Sequence, residues 1–233
     1  MNKAKQKEIK AAVVAAFPYT IPVLTGFLML GIAYGFLMHT KGYGALWSVL
    51  MSAIAFGGSM QFVAITLLTT AFNPLQAFIL SLMVNARHLF YGISMLEKYK
   101  GLGKSRFLLI YTLCDETFSV SASVNPPENI NRKYFYLAIS LLHYFYWSAA
   151  TLLGSLLGNF IHVNTKGLDF VLTALFVVLF LEQIKKKENF LVGLIGLAGG
   201  IISIILFGAG NMVIPAMILI LVTLLAGRNK LCS

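Results

Sequence analysis

The stretch "SLMVNARHLFYG" places four polar side chains at the end of an apolar run: Asn85, Arg87, His88 and Tyr91. Asn85 and His88 are three residues apart and share one face of a helix, with Arg87 on a neighbouring face. Such a group can bind a charged substrate. The simpler alternative is that Arg87 extends its charge to the lipid headgroups while Tyr91 joins an interfacial belt of aromatic residues.

A second group of charges lies in "YTLCDETFSV", where Asp115 and Glu116 interrupt a short apolar segment. Carboxylates in such a segment are costly unless they are paired, protonated or hydrated. Adjacent residues point in different directions on a helix, so at most one of them faces a given partner. Arg87 or His88 is the expected partner. A carboxylate withdrawn from water also keeps its proton more readily, which suits a proton carrier.

A third group lies in "AFGGSMQF", which contributes Gly57, Gly58, Ser59 and Gln61. A glycine pair allows a helix to break, and the exposed backbone together with the Gln61 amide could bind a carboxylate or an ammonium group. The alternative is that Gln61 only forms a hydrogen bond to a neighbouring helix and so holds the helices together.

The composition decides the class of protein that must position these groups. Of 233 residues, 58% are hydrophobic and 11% are charged, and the mean hydropathy is +0.82. Several continuous apolar runs approach or exceed the roughly 20 residues that cross a bilayer, so we predict an all-α polytopic membrane protein. The net charge of +10 is typical of basic cytoplasmic loops and does not require nucleic acid. We predict no enzymatic activity, metal or cofactor, because no nucleophile–base pair is legible and the histidines are scattered.

The basic residues predict the topology. They cluster in the tail 1–16, at 97–106, at Arg132 and Lys133, at 185–187, and at Arg228 and Lys230. All clusters face the cytoplasm if the apolar runs Ala45–Ala71 and Phe107–Ser121 do not cross but dip in and return. This gives about six full spans and two broken or re-entrant segments, with both termini cytoplasmic. Eight conventional spans with one violation of the charge rule are the alternative.

The chain is predicted to form one transmembrane permease domain over 1–233. Phe17–Met38 is expected to be an uncleaved first span, since it is too long for the core of a signal peptide. The pairs Gly31 and Gly35, and Gly154 and Gly158, have the spacing that lets membrane helices approach closely.

These motifs, in this order, resemble the AzlC-type branched-chain amino-acid permeases. The resemblance rests on the opening "FPYTIPVLTGFLMLGIAYGFL", on "AFGGSMQF", on "NARHLFYG" and on "DETF", followed by an aromatic-rich span that contains Trp147. One departure is Cys114, which stands before the acidic pair where the family commonly has Thr.

The resemblance implies an exporter of valine-like apolar amino acids in the bacterial plasma (inner) membrane, working with a small AzlD-type membrane protein. We expect Arg87, with the broken-helix backbone near Gly57–Ser59, to bind the substrate carboxylate. Asn85, Gln61 and one of Asp115 and Glu116 would bind the ammonium or carry a proton. Apolar residues such as Phe62 and Phe90 would accept the branched side chain. An importer, a permease for another small metabolite and a membrane scaffold are the alternatives; a homo-oligomer is compatible with each.

Overall fold

A computed structural model describes residues 3–69, 73–160, 174, 177–178, 180–181, 184–185 and 187–227. All regular secondary structure in these ranges is helical, as predicted. The helices whose two ends lie within these ranges are α1 (Lys3–Thr40), α2 (Ala45–Ala55), α3 (Gly58–Thr69), α4 (Pro74–Met95), α5 (Ser105–Tyr111), α6 (Asp115–Ser123), α7 (Arg132–Phe160), α8 (Lys187–Asn211) and α9 (Val213–Ala226).

The described helices include three that are long and apolar enough to cross a membrane: α1, α7 and the stretch Asn189–Gly208 of α8. The polytopic helical class is therefore confirmed. The count of six spans stays a prediction, because the run Phe170–Glu182 lies largely outside the described residues. The chain divides into two compact units, Met1–Lys166 and Gly167–Ser233.

In the first unit, α1 and α7 run parallel and pack along most of their length. The rings of Tyr19 and Phe135 meet near one end, with centroids 6.0 Å apart. At the other end the His39 ring lies where a side chain on Gly158 would stand, 2.6 Å from such a Cβ atom. Between them a Cβ on Gly31 would lie 2.6 Å from the Ala150 Cβ. The predicted close approach is therefore confirmed, and the two helices touch backbone to backbone.

Three of the basic clusters lie at the end of this unit where α1 and α7 begin, which we call the basic end. The Lys98 ammonium donates to the Ala122 carbonyl, 2.8 Å away, and Arg132 donates to the Lys98 carbonyl. Glu8, in the first helix, accepts a hydrogen bond from Asn131, just before α7. The tail, the 97–106 loop and the start of α7 therefore share one end, as the charge rule predicts.

α2 and α3 form a hairpin that enters from the opposite end. The Tyr43 hydroxyl, just before α2, donates to the Leu68 carbonyl at the end of α3, 3.0 Å away. The segment therefore dips inward and returns, as predicted for Ala45–Ala71. The break was expected at the glycines, but the left-handed residue is Phe56, with φ of 38°. Gly57 follows, and the first backbone bond of α3 runs from Gln61 N to the Gly57 carbonyl.

α5 and α6 form a second hairpin, which enters from the basic end. α5 begins after the basic loop, and the end of α6 returns to that loop through the Lys98–Ala122 contact. The break between them spans 112–114, where the Thr112 hydroxyl bonds back to the Leu108 carbonyl and Cys114 is extended. Asp115 is the first residue of α6, where its negative charge interacts favourably with the positive end of the helix dipole. The run Phe107–Ser121 therefore does not cross, as expected.

α4 connects the two hairpins and passes both of their tips. It begins shortly after α3 ends and finishes at the basic end, where Met95 packs in the core cluster with Tyr99 and Phe135. Arg87 stands partway along it, level with the tips. Two hairpins that enter from opposite ends and meet at their broken tips thus form the centre of this unit.

The second unit contains α8 and α9, which pack directly on each other. A Cβ on Gly199 would lie 2.7 Å from Ile220. α8 leaves helical geometry at Gly208, whose φ of 74° is one that glycine adopts readily. The apolar side chains of this pair are largely exposed, and within Asn189–Gly208 only Gly199 and Ser203 are buried.

The backbone contact of α1 and α7 gives a stability prediction. Gly35→Ala places a methyl group against α7, where the Ser155 nitrogen would be 2.7 Å away. Overpacking of this kind costs about 1–3 kcal/mol, so we expect a lower unfolding temperature in detergent. Gly26→Ala is the matched control on the same helix, because nothing lies within 4 Å of its Cβ position. Equal unfolding temperatures for the two variants would contradict the close packing.

Candidate functional site

Arg87 joins the tips of the two hairpins. Its Nη2 atom donates to the Ser59 hydroxyl at 2.8 Å and pairs with Asp115 Oδ2 at 2.8 Å. The sequence left open which carboxylate faces which base, and the structure pairs Asp115 with Arg87. The side chains are 35% and 27% exposed, so the pair is neither sealed in the core nor free in solvent. The ion pair offsets the free-energy cost of placing the Arg87 charge in an apolar part of the chain.

Both partners of Arg87 stand at the first turn of a broken helix. Ser59 is the second residue of α3, and Asp115 is the first residue of α6. The first N–H groups of a helix have no partner within it and carry the positive end of the helix dipole. With the Arg87 guanidinium they form a local concentration of donors that suits an anion such as a carboxylate.

The pair keeps unused hydrogen-bonding capacity. Arg87 Nε and Asp115 Oδ1 are both buried, and neither has a hydrogen-bond partner among the described residues. A buried polar atom without a partner costs free energy, so its presence calls for an explanation. A free donor on the cation and a free acceptor on the anion lie on the same ion pair. Together they match a ligand that carries one negative and one positive group.

The rest of the "NARHLFYG" group surrounds this pair. A Cβ on Gly57 would lie 3.7 Å from the Asn85 amide oxygen, so Asn85 faces the tip of the first hairpin. The His88 ring contacts the Tyr91 ring at 5.6 Å, and Tyr91 stacks on Phe118 of α6 at 4.3 Å. The structure thus brings Gly57, Ser59, Asn85, Arg87, His88, Tyr91 and Asp115 into one neighbourhood.

Gln61 and Gly58 face α7. The Trp147 indole N–H donates to Gln61 Oε1 at 2.7 Å, and Gln61 Nε2 donates to Ser52 at 2.9 Å. A Cβ on Gly58 would lie 3.5 Å from the Trp147 ring. Ser52 in turn contacts Thr151 at 2.9 Å. Gln61 is fully buried in this network, so its contacts are those of the helix-joining alternative. A direct role in binding substrate stays a prediction for both residues.

Neither Glu116 nor the two proposed phenylalanines is a member of the Arg87–Asp115 pair. Glu116 is half-buried in the first turn of α6 and makes no ion pair with any described residue. Phe62 is buried against the Tyr34 ring, 5.5 Å away, whereas Phe90 is 69% exposed on α4. The aromatic surface beside Arg87 and Asp115 is instead the Tyr91–Phe118 stack.

Sequence reasoning did not assign a role to two groups at the breaks. The Tyr111 and Tyr144 hydroxyls donate to carbonyls at the end of α2. The second group is a buried chain in which Cys114 contacts Thr117 at 3.1 Å and Thr117 contacts His143 Nδ1 at 2.9 Å. The position of Tyr111 just before the broken "TLCDE" stretch was the available signal. Nothing in the sequence alone points from Tyr144 to α2.

The family described as AzlC protein matches residues 22–161. A protein of Bacillus subtilis (strain 168) named branched-chain amino acid transport protein AzlC is 49% identical over 231 residues, which is 99% of this chain and 90% of that protein. An uncharacterized membrane protein of Haemophilus influenzae is 38% identical, with 94% of this chain and 91% of that protein covered.

Similarity extends to uncharacterized membrane proteins of other bacteria, among them one of Helicobacter pylori (strain 26695) that is 37% identical over 93% of this chain and 95% of its own length. No solved structure matches the chain significantly. The family match covers more than half of the sequence, and it includes both hairpin tips and Arg87. The chain is therefore a membrane protein that belongs to the AzlC family.

Proposed function

We propose that this protein is a secondary transporter that exports branched-chain or related apolar amino acids across the bacterial plasma membrane. The observation that carries the proposal is the Arg87–Asp115 pair, held between two broken-helix starts, with one free donor and one free acceptor. Broken helices that meet at membrane depth are a common setting for the substrate site of a transporter. The name of the Bacillus subtilis relative supports an amino acid as the substrate.

An amino acid carries both charges that the site can recognise. Its carboxylate fits Arg87 and the N–H groups at the start of α3, and its ammonium fits Asp115. In the bound state the substrate carboxylate would pair with Arg87 and the substrate ammonium with Asp115, in place of the direct ion pair. No charge is then left unpaired in the apolar surroundings. Uncharged metabolites lack these complementary groups, which favours a zwitterion.

The apolar part of the substrate has a surface beside the charges. Tyr91 and Phe118 stack with their planes 10° apart, next to the Arg87–Asp115 pair. An aliphatic side chain on this surface is removed from water, and each buried methylene contributes about 0.8 kcal/mol. This supports a preference for valine-like over small or polar amino acids.

We assign the coupling to the proton-motive force and Glu116 to the proton. Glu116 adjoins Asp115 in the first turn of α6, and it makes no ion pair with a described residue. It can therefore change its charge without breaking the Arg87–Asp115 bridge. The protein would work with a small AzlD-type membrane subunit, and the largely exposed apolar side chains of α8 and α9 offer surface for lipid or for such a partner.

The function is tested by valine efflux from loaded cells, with and without the small partner subunit. We expect faster efflux when both chains are present than when either is absent. Inverted membrane vesicles separate export from import, since an exporter fills them with valine. Accumulation in right-side-out vesicles would favour the importer, and the absence of any valine movement would favour a scaffold or another substrate.

The site assignment predicts the effect of removing either charge of the bridge. Arg87→Ala or Asp115→Asn leaves the other charge without its partner, which typically costs 2 kcal/mol or more, or about a 30-fold loss of transport. Valine efflux, normalised to the amount of inserted protein, measures the loss. Lys100→Ala is the matched control, because the Glu97–Lys100 pair is exposed, with side chains 73% (Lys100) and 87% (Glu97) exposed, and such pairs contribute little. Normal efflux by both Arg87→Ala and Asp115→Asn would overturn the assignment.

If Glu116 carries the proton, a substitution at this residue should separate gradient-driven valine efflux from valine exchange. Glu116→Gln keeps the size of the side chain but cannot release a proton. We expect gradient-driven efflux to be lost, as with a protonophore in the wild type, while exchange of external for internal valine continues. Radiolabelled valine in proteoliposomes measures both activities. Gradient-driven efflux by Glu116→Gln at the wild-type rate would exclude this role.

A further inference from the structure

The two hairpins are tied together twice, once on each side of their breaks. Arg87 joins the start of α3 to the start of α6 through Ser59 and Asp115. Tyr111 joins the end of α5 to the end of α2, since its hydroxyl lies 2.6 Å from the Ile54 carbonyl and 2.9 Å from the Ala53 carbonyl. The charged groups of the substrate would bind at the first tie, which Arg87 makes. They would not contact the second tie, which Tyr111 makes.

The second tie meets a need of the backbone. Ala53 and Ile54 are among the last four residues of α2, whose carbonyls have no partner within the helix. At membrane depth such carbonyls must be satisfied by the protein. The Tyr144 hydroxyl donates to Ala53 at 2.8 Å, which leaves the single proton of Tyr111 for the closer Ile54 carbonyl. Two tyrosines thus replace the hydrogen bonds that a continuous helix would have made.

The same contacts hold an unfavourable backbone geometry. Phe56 follows the end of α2 with φ of 38°, in the left-handed region that bulky residues rarely adopt. Its ring packs on the Tyr144 ring with centroids 5.0 Å apart. Tyr111 differs from Tyr144 in its origin, because it is the last residue of α5 and so belongs to the opposing hairpin. This hydroxyl therefore joins the break of one hairpin to the break of the other.

We propose that Tyr111 is a positioning residue that couples the two broken hairpins, so that Gly57–Ser59 stay aligned with Arg87 and Asp115 when substrate binds. This inference rests on the proposed transport function. Tyr111 does not touch the substrate. Its hydroxyl fixes the spacing of the two tips, and Arg87 then spans a gap of the right width.

Tyr111→Phe keeps the ring and removes only the tie. We expect the Ile54 carbonyl to lose its donor and the tips to separate more easily. The KM for valine should rise by about tenfold, the size expected for one lost hydrogen bond that organises a site. Tyr43→Phe is the matched control, because Tyr43 also donates one hydrogen bond to a carbonyl of the first hairpin, at Leu68 on its opposite end.

A distance measurement tests the coupling without reference to substrate. Spin labels attached after Trp47→Cys on α2 and Phe107→Cys on α5 report the separation of the hairpins, and these side chains are 62% and 78% exposed. Cys232→Ser removes one native thiol, and Cys114 is buried. We expect Tyr111→Phe to broaden the distance distribution and lengthen its mean, and Tyr43→Phe to leave both at the wild-type values.

The outcomes separate the two proposals. Wild-type protein that moves no valine refutes the proposed transport, while the spin-label distances still decide whether Tyr111 couples the hairpins. Distances and KM at wild-type values in Tyr111→Phe overturn the inference, as does an equal change in Tyr43→Phe. Should Tyr111→Phe fail to fold in detergent, Tyr111→Trp, whose indole N–H can donate to the carbonyl, restores the fold and the distances if the tie matters. If that variant stays unfolded, the inference is overturned.

Discussion

The positive charge of Arg87, in the middle of an apolar segment, constrains how the rest of the first unit is arranged. Arg87 stands partway along α4, too deep for its charge to be left unpaired at low cost. Its partners come from two different hairpins, so satisfying this one side chain requires both hairpins to end at the same depth. The ion pair with Asp115 and the hydrogen bond to Ser59 thereby fix the relative positions of three segments. Through these two contacts Arg87 holds the starts of α3 and α6 together.

The broken helices impose a second requirement, because each break exposes backbone groups that lipid cannot satisfy. The two ends of each break are treated differently. At the starts of α3 and α6 the helix dipoles favour a negative group, and both starts lie beside the Arg87 cation. At the end of α2 the Ile54 and Ala53 carbonyls accept hydrogen bonds from Tyr111 and Tyr144. The polarity of the site therefore follows from which backbone ends are occupied by side chains.

Much of this arrangement is predictable from the sequence. The rule for positive charges placed the 97–106 loop and Arg132 at one end, and only re-entrant paths for the two interrupted runs satisfied it. The Arg87–carboxylate pair followed from the cost of isolated charges, although the choice of Asp115 over Glu116 depends on helix phase that composition does not contain. The left-handed Phe56 was not predictable, because its geometry is maintained by tyrosines distant in sequence. The inward position of Gln61 next to Trp147 likewise arises only from tertiary packing.

The glycine seam of α1 and α7 has a mechanical consequence. Two helices in backbone contact have few side chains between them that could repack, so we expect α1 and α7 to form a rigid pair. α4 is its opposite: of its described side chains, only Met95 at its end is fully buried. Little packing therefore holds α4, and the contacts of Arg87 with both hairpin tips set its position. The polar contacts of α4, more than close packing of its side chains, thus determine where this helix lies.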